Sequence, residues 1–330
     1  MFENVKGALC GVLLGSLALT AATATQAEIL RLAHHHAVGG TADLAANKFA
    51  ELAHELSEGR LTVQVYPAAQ LGQEREAYEM VNAGALDLSI TSTNVLDKVY
   101  RPISVTGLPF VFRDWEHAMN AYEGAFGDTI VSEVRAAGNT QILGFFGLGF
   151  RDLLFRDAPV TRLADLAGMK MRSPEIHEFI KMYELLGARP TPVTWGEVYT
   201  AMQTGVAAGL DSPPATALDM KFEEVAHSLV RTGHMFGAML FAMNARTFDS
   251  LTPADQQALL EAGRQAGAWL NTEVAIPAEE GAYARMEAAG MVVADPEDIQ
   301  EWRAAVAPLF DEVMARNDGS AALLELLLSE

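Results

Sequence analysis

Cysteine is almost missing from this chain. The one present, Cys10, lies in an apolar N-terminal stretch that reads as an export signal. Disulfides, thiolate catalysis and thiolate metal sites are therefore excluded from the folded part. A lipid-anchor reading of Cys10 fits poorly, because a lipid-attachment cysteine follows the apolar segment and Cys10 precedes most of it. Basic residues are also scarce: 23 Lys and Arg stand against 43 Asp and Glu, a formal net charge of −20. Nucleic acid and anionic membrane surfaces need basic patches, so neither is an expected partner. The same field opposes a small anion at long range, and any anion site must be built locally. Past the N-terminal stretch, no segment approaches the roughly 18 uninterrupted apolar residues of a membrane span.

The enzyme signatures that can be tested are absent too. No G-x-G-x-x-G or P-loop pattern follows a strand, and there is no G-x-S-x-G elbow. His54-Glu55-Leu56-Ser57-Glu58 fails H-E-x-x-H at its last position. The abundant carboxylates fall on helix faces expected to be solvated.

What is present begins with the leader. Lys6 supplies a thin positive region, 8–22 is apolar, and Ala24-Thr25-Gln26-Ala27 offers small residues for cleavage. A signal peptide over 1–27 is expected, with the mature chain starting at Glu28. An exported, acidic, disulfide-free protein fits a bacterial periplasm. The remainder is long enough for two ordinary domains.

Periodicity then gives strand 28–34, helix 41–57, strand 61–66, helix 73–82 and strand 86–91, a β-α-β-α-β run with parallel pairing. After an apolar connector, helices are expected over 114–122 and 127–136. Strands follow over 141–146 and 150–155, parted by Gly147-Leu148-Gly149. A helix opens at Trp195, strands are expected over 207–211 and 238–243, and helices over 254–270, 276–289 and 296–314. The late return of a strand indicates two α/β domains between which the chain crosses more than once.

The stretch of greatest chemical interest is Gly168-Met169-Lys170-Met171-Arg172-Ser173-Pro174. Its alternation predicts a short strand, with Ser173 as N-cap and Pro174 as first residue of a helix to about 186. Arg172 then stands at the carboxyl edge of a strand, where ligand crevices form in open α/β sheets. Its fork suits a carboxylate, sulfonate or phosphate. Arg151, Trp195 and the short polar residues Ser92, Thr93 and Ser212 lie at other element edges. Together they describe a cleft for a small ligand with at least one anionic group. His34, His35 and His36 cannot all ligate one ion, since neighbours on an extended chain point to opposite faces. One of them reaching into the crevice is the expectation.

These residues fall in a pattern that resembles the extracytoplasmic solute-binding proteins of TRAP transporters, the DctP-type family. The matching stretches are Gln70-Leu71-Gly72-Gln73-Glu74-Arg75-Glu76, Gly149-Phe150-Arg151 and 165–174, followed by 186–193, 197–205 and 221–225. The resemblance runs in order from 28 to 270. It implies a two-lobed periplasmic binding protein fold of the α/β class, with hinge segments and a long helix spanning both lobes. On that basis lobe I comprises 28–148 plus 238–277, and lobe II 149–237 plus 278–330. It further implies a ligand carboxylate held bidentately by Arg172, a second arginine in Arg151, and Trp195 packed on the ligand's carbon skeleton. By the same register His35, Glu74, Ser92 and Glu175 face the cleft. Ser212 replaces a longer amide that usually contacts ligand, in Leu210-Asp211-Ser212-Pro213 where the family often has Gln-Glu-Asn-Pro.

The implied role is delivery of a small organic anion to membrane permease subunits of the TRAP type, driven by an ion gradient. Neither cofactor, catalytic residue nor metal is called for, and a monomer is expected. Three other readings stay open. Trp195 and Trp115 could hold the cation of a zwitterionic compatible solute, or the ligand could be a sulfonate. A periplasmic enzyme could use the cleft, with His35 and Glu74 as its acid/base pair. A purely structural or sensory module would take no small molecule.

Overall fold

Two long strands give the molecule its plan. In a computed structural model describing residues 27–330, Thr140–Phe155 and Ser228–Asn244 run antiparallel along almost their whole length. The expected leader, with Cys10, lies outside the described residues apart from Ala27. The break expected at Gly147-Leu148-Gly149 is not there. The strand continues through it by slipping register between Gly147 and Phe150, with Gly149 at φ +108°. The expected strand over 238–243 is likewise only the far half of a longer one. Arg231, Gly233, His234 and Gly237 interrupt its apolar alternation and hide the near half.

In chain order the strands are β1 (Glu28–Ala33), β2 (Leu61–Tyr66), β3 (Leu88–Ser92), β4 (Thr140–Phe155), β5 (Lys170–Ser173), β6 (Arg189–Pro192), β7 (Gly209–Ser212), β8 (Ser228–Asn244) and β9 (Val292–Ala294). They form a sheet in the order β2-β1-β3-β8-β4-β7-β5-β6, with β9 pairing β8. β1 lies parallel to β2 and β3, and β5 parallel to β6 and β7. Two parallel α/β units are thus stitched together by the antiparallel pair β4–β8, which gives a two-lobed fold.

Each unit has its own core. Leu30, Phe49, Leu88, Phe241, Leu259 and Leu270 centre the first, with the Phe49 and Phe241 rings stacked at 4.8 Å. Met202, Leu210, Phe222, Leu229, Ala282 and Met286 centre the second. A third cluster runs from Val105, Phe112 and Phe126 to Met182, Trp302 and Leu323. The C-terminal helices contribute to it, and Ser320–Ser329 packs against Arg101–Gly107 and Ala125–Ala137. Full burial of one such aliphatic or aromatic side chain stabilises by about 1.5–3 kcal/mol.

The helices expected over 254–270 and 276–289 are one continuous element. Thr252 caps it through the Asp255 amide, and Pro253–Trp269 passes through a π-helical stretch, Leu270–Ala275, into Ile276–Ala288. Pro277 explains the widened turn. It has no N–H to donate and its ring crowds the carbonyl four residues back, which a π-turn relieves without ending the helix. The helix lies close on β4, where a Cβ on Gly144 would stand 2.6 Å from the Gly263 carbonyl carbon. Its first half contributes to the first core and its second half to the second.

One local expectation fails beside the site. Ser173 is not an N-cap. It ends β5, paired with Pro192, and its carbonyl accepts from Val193 N at 3.1 Å. The helix starts only at His177, behind an Ile176 N-cap with no side-chain hydrogen bond. Pairing with β6 holds Ser173 extended and outweighs its local preference for a cap.

Candidate functional site

The carboxyl ends of β1, β3, β5 and β6 and the middle of β4 and β8 converge on one cavity of about 170 Å³. Residues of both parallel units line it, as expected of a crevice at the carboxyl edge of open α/β sheets.

Arg172 leaves β5 into this wall at 3 % exposure. Its Nε donates to the Val193 carbonyl oxygen at 3.0 Å, and the guanidinium carbon lies 5.4 Å from the centre of the Trp195 ring. Among the described residues it makes no other hydrogen bond and no ion pair. Burial pulls its pKa down to about 10, with nearby Asp211 acting against that shift. A buried cation with its remaining donors unengaged is costly, and a ligand anion would offset the cost.

Arg151 is arranged differently. Its Nε donates to Asp211 Oδ2, a second nitrogen donates to the Asp211 carbonyl oxygen at 2.6 Å, and the guanidinium lies 5.2 Å from the Phe179 ring centre. Tyr183 donates to the other Asp211 carboxylate oxygen at 2.9 Å. Burial alone would raise the Asp211 pKa, but Arg151 and His234 hold it well below the carboxylate range.

The first parallel unit supplies a polar wall. Glu74 opens the helix Glu74–Ala83, and one of its oxygens accepts from the Ser92 amide at 2.6 Å. His35 and His36 follow β1 with ring centres 4.2 Å apart. Burial is the main cause that keeps both neutral. His35 is lowered to about 3, with His34 and Arg172 adding to the effect, and His36 lies well below the usual imidazole value. His34 is outside the lining, bonded to Asp43 at 3.0 Å.

Of the expected site residues, Arg172, Arg151, Trp195, Ser92, His35, Glu74 and Glu175 all border the cavity. Ser212 does not. It is fully buried, and its hydroxyl donates to the Pro213 carbonyl oxygen at 3.1 Å. Pro213 and Thr216 take the place on the wall that the position of Ser212 promised. Sequence reasoning missed Asn94, Phe179, Phe236 and Thr216. Phe179 reads as part of an apolar helix stripe, and nothing local to the others carries a signal. His36 was visible only as one of three histidines.

The sequence profile of the bacterial extracellular solute-binding proteins, family 7 (DctP), matches residues 32–317. The chain belongs to this family. A solute-binding protein of Verminephrobacter eiseniae is 32% identical over 305 residues, 92% of this chain and 90% of that protein. Among solved structures, a TRAP periplasmic solute-binding protein from Roseobacter denitrificans with bound β-D-glucuronate superposes with a TM-score of 0.86 at 29% identity. That match covers 92% of this chain and 99% of the other. A TRAP periplasmic solute-binding protein from Polaromonas sp. JS666 bound to D-erythronate also gives 0.86, at 27% identity, covering 91% and 98%. The family is one of solute-binding transport proteins, and the two solved structures hold β-D-glucuronate and D-erythronate. No helix of the described residues is long and apolar enough to cross a membrane.

Proposed function

We propose that this chain is the periplasmic solute-binding subunit of a TRAP-type secondary transporter, which captures a small carboxylate between its lobes and delivers it to the membrane permease. The observation that carries the reading is Arg172: buried on the cavity wall, over Trp195, with a single hydrogen bond among the described residues. Its fork takes the carboxylate bidentately and Trp195 packs on the carbon skeleton. Arg151, already tied to Asp211, adds positive potential. Ser92, His35, Glu74 and Glu175 border the rest of the ligand; Ser212 is left out, since its hydroxyl is turned away. The relatives bound to glucuronate and erythronate support a carboxylate.

The lobes follow the long strands and the long helix. Residues 28–148 plus 238–277 form one and 149–237 plus 278–330 the other, with Ser320–Ser329 reaching back onto the first. Closure would turn on the register slip of β4 at Gly147–Phe150.

The Arg172 guanidinium stands over one face of Trp195, which leaves that face unavailable to a quaternary ammonium and favours a carboxylate over a zwitterion. No hydrogen bond joins His35 to Glu74, and the Ser92 amide already engages Glu74. Binding without catalysis is therefore the reading for this pair.

Isothermal titration of the mature chain with D-glucuronate, D-galacturonate and D-erythronate tests the function, with each acid recovered afterwards. Saturable binding of at least one, unchanged on recovery, is expected. Conversion of the acid, or binding of betaines in preference to every acid, would overturn it. Uptake in vesicles carrying a TRAP permease, dependent on this subunit and an ion gradient, tests delivery.

A further inference from the structure

The two parallel units face each other across the cavity, and one side chain bonds them together directly. The Thr41 amide and hydroxyl both donate to Asp219 Oδ2, at 2.8 and 2.9 Å. Among the described residues no other hydrogen bond links 28–107 to 156–227. Thr41 is 5 % exposed and Asp219 is half-buried. Neither borders the cavity, yet each belongs to an element that does. Asp219 ends the helix Pro214–Asp219, whose Thr216 is on the wall, and Thr41 opens the helix Thr41–Leu56 just after the wall histidines.

The chemistry of the contact is that of a helix cap supplied from outside. The first amides of a helix have no partner within it, and its N-terminus carries a partial positive charge. The N-cap of Thr41–Leu56 is Gly40, which has no side chain to accept them. Asp43, in the first turn, is occupied elsewhere: it accepts from Gly39 N at 2.8 Å and bonds His34 at 3.0 Å. Asp219 therefore provides, from the opposite unit, the carboxylate that a local cap residue would have supplied. Gly40 lets it approach. A Cβ on Gly40 would stand 3.0 Å from Asp219 Oδ2 and 3.1 Å from its Cγ, while φ of −78° is open to any residue.

We propose that Asp219 is the latch of the closed cleft: it caps the helix Thr41–Leu56 across the gap only when the lobes are together, and so sets how long a solute is held without touching it. This rests on closure between the lobes as read above and adds a residue that holds the closed form. Ligand and latch favour the same form, so each strengthens the other. A wall residue tells one ligand from another, whereas losing the latch changes release of every ligand by the same factor.

Stopped-flow release of D-glucuronate, D-galacturonate and D-erythronate, read by tryptophan fluorescence, tests the latch in wild type, Asp219→Ala, Asp219→Asn, Gly40→Ala and the double variant Gly40→Ala/Asp219→Ala. A lost cap changes an equilibrium by roughly two- to thirtyfold. Asp219→Ala should speed release of each acid that wild type binds by one common factor in that range. Asparagine caps about as well as aspartate, so Asp219→Asn should restore most of what alanine loses. Gly40→Ala should also speed release, and the double variant should stay within about twofold of Asp219→Ala, because both substitutions remove the same contact. Wild-type release from Asp219→Ala, even with a lowered urea midpoint, would overturn the proposal. So would a factor that differs from acid to acid, or two effects that multiply in the double variant. A wild type that binds none of the three acids overturns the carboxylate reading instead. Small-angle scattering of the ligand-free proteins then decides the latch: Asp219→Ala should have the larger radius of gyration, and equal radii would overturn it.

Discussion

Removing Arg172 should have opposite effects on the empty and the filled protein. In the empty chain the guanidinium is buried with one hydrogen bond and no ion pair among the described residues. The fall of its pKa from 12.5 to about 10 corresponds to about 3 kcal/mol against the charged form. The penalty is present in full at neutral pH, where the group is charged both folded and unfolded, and only pH values above 10 relieve it. Arg172→Met, which keeps much of the apolar stem, should therefore leave the ligand-free protein as stable as wild type or more stable, by at most about 3 kcal/mol. With ligand the sign reverses. Losing one partner of a buried charge pair costs about 2–5 kcal/mol, roughly thirtyfold to five-thousandfold in dissociation constant. Arg172→Lys should also bind poorly, because a point charge cannot reproduce the fork. The assay is urea melting with and without a ligand found by titration. At a thousand times its wild-type dissociation constant the ligand should add about 4 kcal/mol to wild type and only about 0–2 kcal/mol to the variant. An Arg172→Met protein that is less stable when empty, or that keeps the ligand-induced gain, would refute the reasoning.

Acid should weaken the fold through the histidine wall. His35 titrates near 6.5 unfolded and near 3 folded, so the unfolded chain binds the extra proton and stability falls between those values, by about 2 kcal/mol at pH 5. Urea melts of His35→Gln at pH 8 and pH 5 should lose part of that fall; equal pH dependence in the two proteins would sink the assignment. Gly144→Ala forces a methyl group against the Gly263 backbone and should destabilise by about 1–3 kcal/mol, read as a lower urea midpoint. Glu279 on the long helix accepts from Trp115 Nε1 and, at 2.9 Å, from Phe150 N beside the slip in β4. Glu279→Ala should cost about 1–3 kcal/mol for each donor left buried, and an unchanged midpoint would show those bonds to be unimportant.

The opening β-α-β-α-β run was legible because alternation and glycine stops agree there, although Gly40 rather than Thr41 is the N-cap of the first helix. The long strands were not. Gly147-Leu148-Gly149 looks like a break when read alone, and only pairing with a strand some ninety residues later carries the chain through it. The gap left between the helices expected over 254–270 and 276–289 closes for the same reason, since packing on β4 sustains one helix through the π-turn. Ser173 was assigned as a cap because its pairing with Pro192 is not local. Within the site, Arg172, Arg151 and Trp195 stood out as scarce residue types at element edges. Which arginine is neutralised could not be read, because Asp97 and Asp211 become partners only in the fold. Ser212 was placed at the right turn and on the wrong side of it.

That unequal pairing sets Arg172 apart from Arg151. In a chain with 43 acidic residues, a buried arginine without a carboxylate is not explained by any shortage of partners. The nearest candidate, Asp211, is engaged by Arg151 and Tyr183. Asp211→Asn tests this directly. It leaves the partly exposed Arg151 without its buried counter-ion, so the empty protein should lose up to about 3–5 kcal/mol, and the site gains a second uncompensated guanidinium. Affinity for succinate or adipate should rise relative to the matched monocarboxylate. If titration instead shows both weakened in equal proportion, the cleft does not select by charge balance and the pairing of Arg151 serves only to hold β4 to β7.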